Sequence, residues 1–115
     1  MISPDIVALQ HDDRHAVIQL AVPRDAEVFH GHFPTMPVLP GVVQIDWAMR
    51  LADRCFGLAK PVADDFQIKF SRVIGPGVAL VLILALDPTR HRLSFEYRVD
   101  DRIMSSGRVQ LESLA

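Results

Sequence analysis

At 115 residues, half of them apolar and with a formal net charge of −2, the chain is sized for one domain, residues 1–115, with a real core. That balance offers no basic face for DNA or RNA, and the longest apolar run, Val78 to Leu86, is too short to span a bilayer as a helix. The lone Cys55 has no partner for an internal disulfide, and MISPDIVALQ carries no basic residue ahead of an apolar run. The chain therefore reads as cytoplasmic, without a secretory signal.

Ile6 to Gln10 and Ala16 to Val22 read as two strands joined by the polar turn His11-Asp12-Asp13-Arg14. In the second, Ala16, Ile18, Leu20 and Val22 alternate with His15, Val17, Gln19 and Ala21, the period of a half-buried strand. Pro23 ends it, and Glu27 to His30 reads as a short extended piece before a proline-rich loop from His32 to Pro40. From Gly41 the period becomes helical, with Val42, Val43, Ile45, Trp47, Ala48, Met49, Leu51, Ala52, Cys55 and Phe56 apolar around most of the circumference. Such a helix is expected to be buried, with Cys55 in the core. Asp46, Arg50, Asp53 and Arg54 share a narrow polar stripe; Gly57 suits a C-cap, and Pro61 prevents continuation.

Everything after the helix reads as strand. Phe66, Ile68 and Phe70 alternate with Gln67, Lys69 and Ser71, and Gly75-Pro76-Gly77 reads as a hairpin turn. Val78 to Leu86 is continuously apolar, which predicts a central strand covered on both faces, the outer one most simply by another subunit. Leu93 to Val99, a turn at Asp100-Asp101, and Ile103 to Leu111 complete the chain. The expected architecture is α+β: two strands, one long buried helix, then four strands in hairpin-like succession, all in one antiparallel sheet wrapped around the helix.

The chemistry concentrates between Phe29 and Asp46, FHGHFPTMPVLPGVVQID, where a histidine-bearing loop runs into a helix start with its unpaired N–H groups and positive dipole end. Gly31-His32-Phe33-Pro34, Pro37 to Val42 and Asp46 resemble the signature of the β-hydroxyacyl-acyl-carrier-protein dehydratases. Phe70-Ser71-Arg72 and Gly75-Pro76-Gly77 stand where that family has its basic strand and PG turn. Leu39-Pro40-Gly41 through Trp47-Ala48, the short length and Ser105-Ser106-Gly107-Arg108 are most similar to the short dehydratase-like proteins of aryl-polyene clusters.

The resemblance implies the hot-dog fold and a hydro-lyase that removes water from 3-hydroxyacyl thioesters to give trans-2-enoyl thioesters. The substrate would be carried on the phosphopantetheine of an acyl carrier protein or on coenzyme A, with no cofactor of the protein's own. His32 is the implied base and Asp46, fourteen residues on, the group that protonates or orients the leaving hydroxyl. Gly41 and Val42 amides are expected to hold the thioester oxygen, with Gly31, Phe33, Pro34 and Pro40 shaping the loop. In this family the two catalytic residues come from opposite subunits, so a homodimer with shared sites is expected, or a larger assembly or heterodimer.

Arg50, one turn after Asp46, is a departure, since the larger dehydratases carry Gln there. An i,i+4 ion pair would favour a carboxylate that orients the hydroxyl over one that donates a proton. Thr35, where the family often has Gly, is a smaller departure. Lys60, Lys69, Arg72 and Arg54 are candidate docking contacts for an acidic carrier protein. Two other readings stay open: a hot-dog thioesterase, and a non-catalytic acyl-binding subunit that pairs with an active homologue. The pairs His30/His32 and His11/His15 lack the Cys or carboxylate that would complete a tetrahedral set, so no metal is expected.

Overall fold

The computed structural model describes residues 4–22, 38–58 and 60–112, with the side chains of 63 and 64 set aside. Strands β1 (Asp5–His11) and β2 (His15–Ala21) precede helix α1 (Gly41–Phe56). Strands β3 (Pro61–Phe70), β4 (Ala79–Asp87), β5 (Arg92–Val99) and β6 (Arg102–Leu111) follow it. The six strands form one antiparallel sheet in the order β1-β2-β4-β5-β6-β3. One helix packed on a curled antiparallel sheet is the hot-dog architecture that the sequence implied.

The inner face of the sheet follows from period-two alternation. Ile18 and Leu20 of β2, Leu80, Leu82 and Leu84 of β4, and Leu93, Phe95 and Tyr97 of β5 point inward and are buried. Against them α1 lays Gln44, Trp47, Ala48, Leu51 and Ala52, positions that recur at helical spacing on one face. Gly57 ends the helix in the left-handed conformation at φ 66°, its N–H donating to the Asp53 carbonyl at 2.8 Å. The Asp53 carboxylate accepts from Leu58 N–H at 3.0 Å, so this terminus is capped twice.

Three expectations change. The four strands after the helix are not a hairpin succession: β4, β5 and β6 are, but β3 pairs with β6 at the far edge of the sheet. Gly75-Pro76-Gly77 is a turn but not a hairpin, because Gly77 N–H bonds the Val22 carbonyl and Val22 N–H the Val78 carbonyl. Those bonds carry the chain away from β3 and onto the end of β2. Nor is α1 buried all round. Its outer face is open, with Val42 75% exposed and Ile45 and Met49 half-buried, because this chain's sheet covers only one side. Strand β4 is central as expected, and within this chain it is buried on one face, with Val81, Ile83 and Ala85 on the other side half-exposed. Cys55 is half-buried against the core cluster, and burial raises its thiol pKa.

Candidate active site

The crossover from β3 to β4 sets the position of the helix start. Ile74, within that crossover, is fully buried, and its carbonyl accepts from Leu39 N–H at 2.7 Å. Pro40 then stands at the N-cap in an extended conformation, its carbonyl receiving the N–H groups of Val43 and Gln44. Proline has no side-chain acceptor for a cap, and no first-turn acid is present. Neither Gly41 nor Val42 N–H meets a hydrogen-bond partner among the described residues.

The ring of Phe70, at the end of β3, lies directly on Gly41: a Cβ there would sit 2.5 Å from Phe70 Cζ. The space opened by this glycine is thus taken up by an aromatic ring rather than left vacant. Phe70 is half-exposed, and with Phe66, Val73 and Val42 it extends the apolar surface on this side.

Asp46 lies on the outer side of the helix with its carboxylate about one-third exposed. The expected pair forms, Arg50 Nε standing 3.0 Å from Asp46 Oδ2. That oxygen is nevertheless shielded from solvent and receives no aligned hydrogen bond among the described residues. A shielded carboxylate oxygen held by an ion pair alone keeps acceptor capacity, and buried acceptors are nearly always satisfied. Beside Asp46 in sequence, Ile45 and Met49 line an apolar cavity of about 220 Å³ that Val62, Phe66, Ile68 and Val109 close from the sheet side. A larger concavity, about 610 Å³, lies on the opposite, outer side of the sheet beside Lys69, Glu96 and Arg108. The sheet separates it from Asp46, so it takes no part in this arrangement.

The structure places Pro40, Gly41 and Val42 at the helix start, Asp46 in the second turn and Arg50 one turn further along the same face. Gly31, His32, Phe33, Pro34 and Thr35 lie outside the described residues. The candidate docking cations split. Lys69 is exposed on the outer concavity and Arg72 is exposed just after β3, whereas Arg54 lies in the last helical turn and Lys60 after it.

Sequence reasoning missed a buried polar cluster beneath this site. Gln44 Nε2 donates to the Leu39 carbonyl at 3.0 Å, Ser105 Oγ donates to Gln44 Oε1 at 2.7 Å, and the Tyr97 hydroxyl donates to the Gln44 carbonyl at 2.6 Å. Burial, then the negative charge of Asp46, push the Tyr97 phenol pKa far up, so it stays a donor. One signal was available: Gln44 is a polar residue on the face shared by Trp47, Ala48 and Leu51.

The model of the ApeI-like family, described as ApeI dehydratase, matches residues 8–108. The chain belongs to the ApeI-like dehydratases. This ApeI-like chain is 32% identical to a chain of the dehydratase heterocomplex ApeI:P from Xenorhabdus doucetiae, with a TM-score of 0.85 over 95% of this chain and 97% of that one. An uncharacterized protein from Erwinia carotovora subsp. atroseptica is 29% identical, with a TM-score of 0.82 over 98% of both chains. The 3-hydroxyacyl-(acyl-carrier-protein) dehydratase FabZ of Oenococcus oeni is 32% identical over 74 residues, 58% of this chain and 53% of the relative. The ApeI-like chain therefore spans about half the length of the curated relative it matches. Among the described residues no helix is long and apolar enough to cross a membrane.

Proposed function

We propose that this ApeI-like chain dehydrates 3-hydroxyacyl thioesters carried by an acyl carrier protein, giving trans-2-enoyl thioesters in the cytoplasm. The observation that carries the reading is the shielded Oδ2 of Asp46, ion-paired with Arg50 but without an aligned hydrogen bond among the described residues, in a chain matched by a dehydratase family over residues 8–108. Such an oxygen suits a ligand hydroxyl. His32 takes the C2 proton and returns it to the C3 hydroxyl, which Asp46, with Arg50 beside it, orients, so that the C3–O bond breaks and the group leaves as water. The amide N–H groups of Gly41 and Val42, unclaimed among the described residues, donate to the thioester oxygen as enolate charge develops, a contribution of roughly 3–4 kcal/mol per donor. No cofactor is needed for this elimination.

The apolar cavity beside Ile45 and Met49 receives the acyl chain. Its 220 Å³ falls below the roughly 300–1,000 Å³ of ligand sites, which favours completion by a second protomer. The exposed apolar residues Val42, Phe66 and Phe70 along α1 and the edge strand β3 support that side as the protomer interface. A second reading, pairing with a different dehydratase-like subunit, is favoured by the heterocomplex in which the X. doucetiae relative was solved.

Turnover of a carrier-bound 3-hydroxyacyl thioester tests the reading, with His32→Ala and Asp46→Asn expected to lose about 10²–10⁴-fold. Wild-type activity retained by folded His32→Ala overturns it. Activity that arises only when a second subunit is added decides for the paired form. Release of free thiol in place of enoyl product identifies a thioesterase. Charge reversal at Lys69 and Arg72 is expected to raise KM for the carrier-bound substrate, and an unchanged KM removes them as docking contacts.

A further inference from the structure

We propose that Gln44, Tyr97 and Ser105 form a positioning device that holds the helix start, and with it Gly41 and Asp46, in the reacting geometry. The inference rests on the roles given above to Gly41 and Asp46. None of the three can touch substrate, since Gln44 is 3% exposed and Tyr97 and Ser105 are fully buried.

Buried polar atoms are costly unless each finds a partner, and apolar side chains of similar size would fill this space without that risk. Here every bond converges on one residue of the first helical turn. Gln44 receives Ser105 Oγ on its side-chain oxygen and the Tyr97 hydroxyl on its carbonyl, and it donates to the Leu39 carbonyl. Leu39 is tied in turn through its N–H to Ile74 of the crossover. The span Leu39 to Gln44, which brackets Gly41, is thereby fixed at both ends: to the crossover on one side, to β5 and β6 on the other.

A local device would ordinarily set a helix start, a Ser, Thr, Asp or Asn side chain at the N-cap. Pro40 occupies that place and offers none. The long-range bonds stand in for it, and they do so from the sheet side, so none of them occupies the outer side, where the half-exposed Phe70 ring lies over Gly41. Asp46 follows Gln44 by two residues and lies close enough to Tyr97 for its charge to act on the phenol. The device also gives a role to two stretches that acid/base chemistry leaves unused, Gln44 within PGVVQID and Ser105 within SSGR.

Tyr97→Phe and Ser105→Ala each delete one hydroxyl and leave the packing volume nearly intact. For each variant kcat and KM for the 3-hydroxyacyl thioester, the melting temperature, and amide hydrogen exchange across residues 39–46 are measured. Misplacement of a reacting group by about 1 Å costs up to about 10²-fold, so a kcat fall of about tenfold at near-constant KM is expected. Exchange at the helix start should accelerate about as much, while β4 and β5 keep their protection. Ser105→Thr, which retains the hydroxyl, should restore kcat. Variants that lose only melting temperature, with wild-type kcat and wild-type exchange at the helix start, overturn the inference. If wild-type protein shows no turnover, alone or with a second subunit, the dehydratase reading fails separately. The exchange measurement then decides: faster exchange at residues 41–45 in both variants supports the device, and unchanged protection overturns it.

Discussion

Two glycines of this chain lie beneath phenylalanine rings, and the two contacts differ in what they allow. A Cβ on Gly107 of β6 would fall 2.6 Å from Phe95 Cε2, and one on Gly41 would fall 2.5 Å from Phe70 Cζ. Phe95 is 2% exposed, stands edge-on to Tyr97 with centroids 5.9 Å apart, and leaves the Gln67 carbonyl 3.0 Å from the same imagined Cβ. Phe70 is 52% exposed at the end of an edge strand. The first glycine lets one strand accept a ring from its neighbour in a core that cannot yield. The second lets a ring cover the helix start and still move away. The helix start is held from within and accessible from without, as a site that binds and releases a substrate requires.

The comparison is broken most directly at Gly107. In Gly107→Ala neither the buried ring nor the Gln67 carbonyl can retreat, so overpacking should cost about 1–3 kcal/mol. Thermal unfolding reads this as a fall of roughly 4–8 °C per kcal/mol. An unshifted transition would mean that the inner side yields as easily as the outer. The same rigidity has a consequence in alkali. Tyr97 is the only tyrosine, and burial followed by the charge of Asp46 pushes its pKa upward in the folded protein. The unfolded chain therefore releases the phenolic proton first. This contribution to stability is complete below the unfolded value of about 10 and is lost as pH rises above it, by about 1.4 kcal/mol per pH unit. Phenolate absorbance should appear only together with unfolding; a phenolate signal from native protein near pH 10 would show Tyr97 to be accessible.

Local rules made the elements legible, and non-local ones hid the topology. Proline, glycine and a change of period placed α1 and its ends, and alternation placed the inward residues of β2 and β5. The pairing of β3 with β6 was not legible, because Phe66, Ile68 and Phe70 would alternate identically beside any neighbour. The apolar surround of α1 overstated its burial for a similar reason. Hydrophobicity records that a surface is to be covered, not by which part of which chain. At the site, the four-residue spacing of Asp46 and Arg50 was enough to foresee their contact. Ser105 looked like one more small residue in an alternating strand, and only the approach of Gln44 across 61 positions gives it meaning.

Gly41→Ala sharpens the outer half of the comparison through the smallest stability effect. Alanine gains up to about 1 kcal/mol in helix propensity over glycine, less at a first helical position than in an interior. Displacing a half-exposed Phe70 ring costs a similar amount. The two should nearly cancel, leaving stability within about 0.5 kcal/mol of wild type. Turnover should respond differently, because the new methyl group stands beside the amides of Gly41 and Val42 to which the proposed reading assigns the thioester oxygen. The double variant Gly41→Ala, Phe70→Ala separates the two causes. If a displaced ring blocks the site, removing it restores activity. If the methyl group itself keeps the thioester from the amides, activity stays low, and the glycine is required by the substrate's approach rather than by the packing of Phe70.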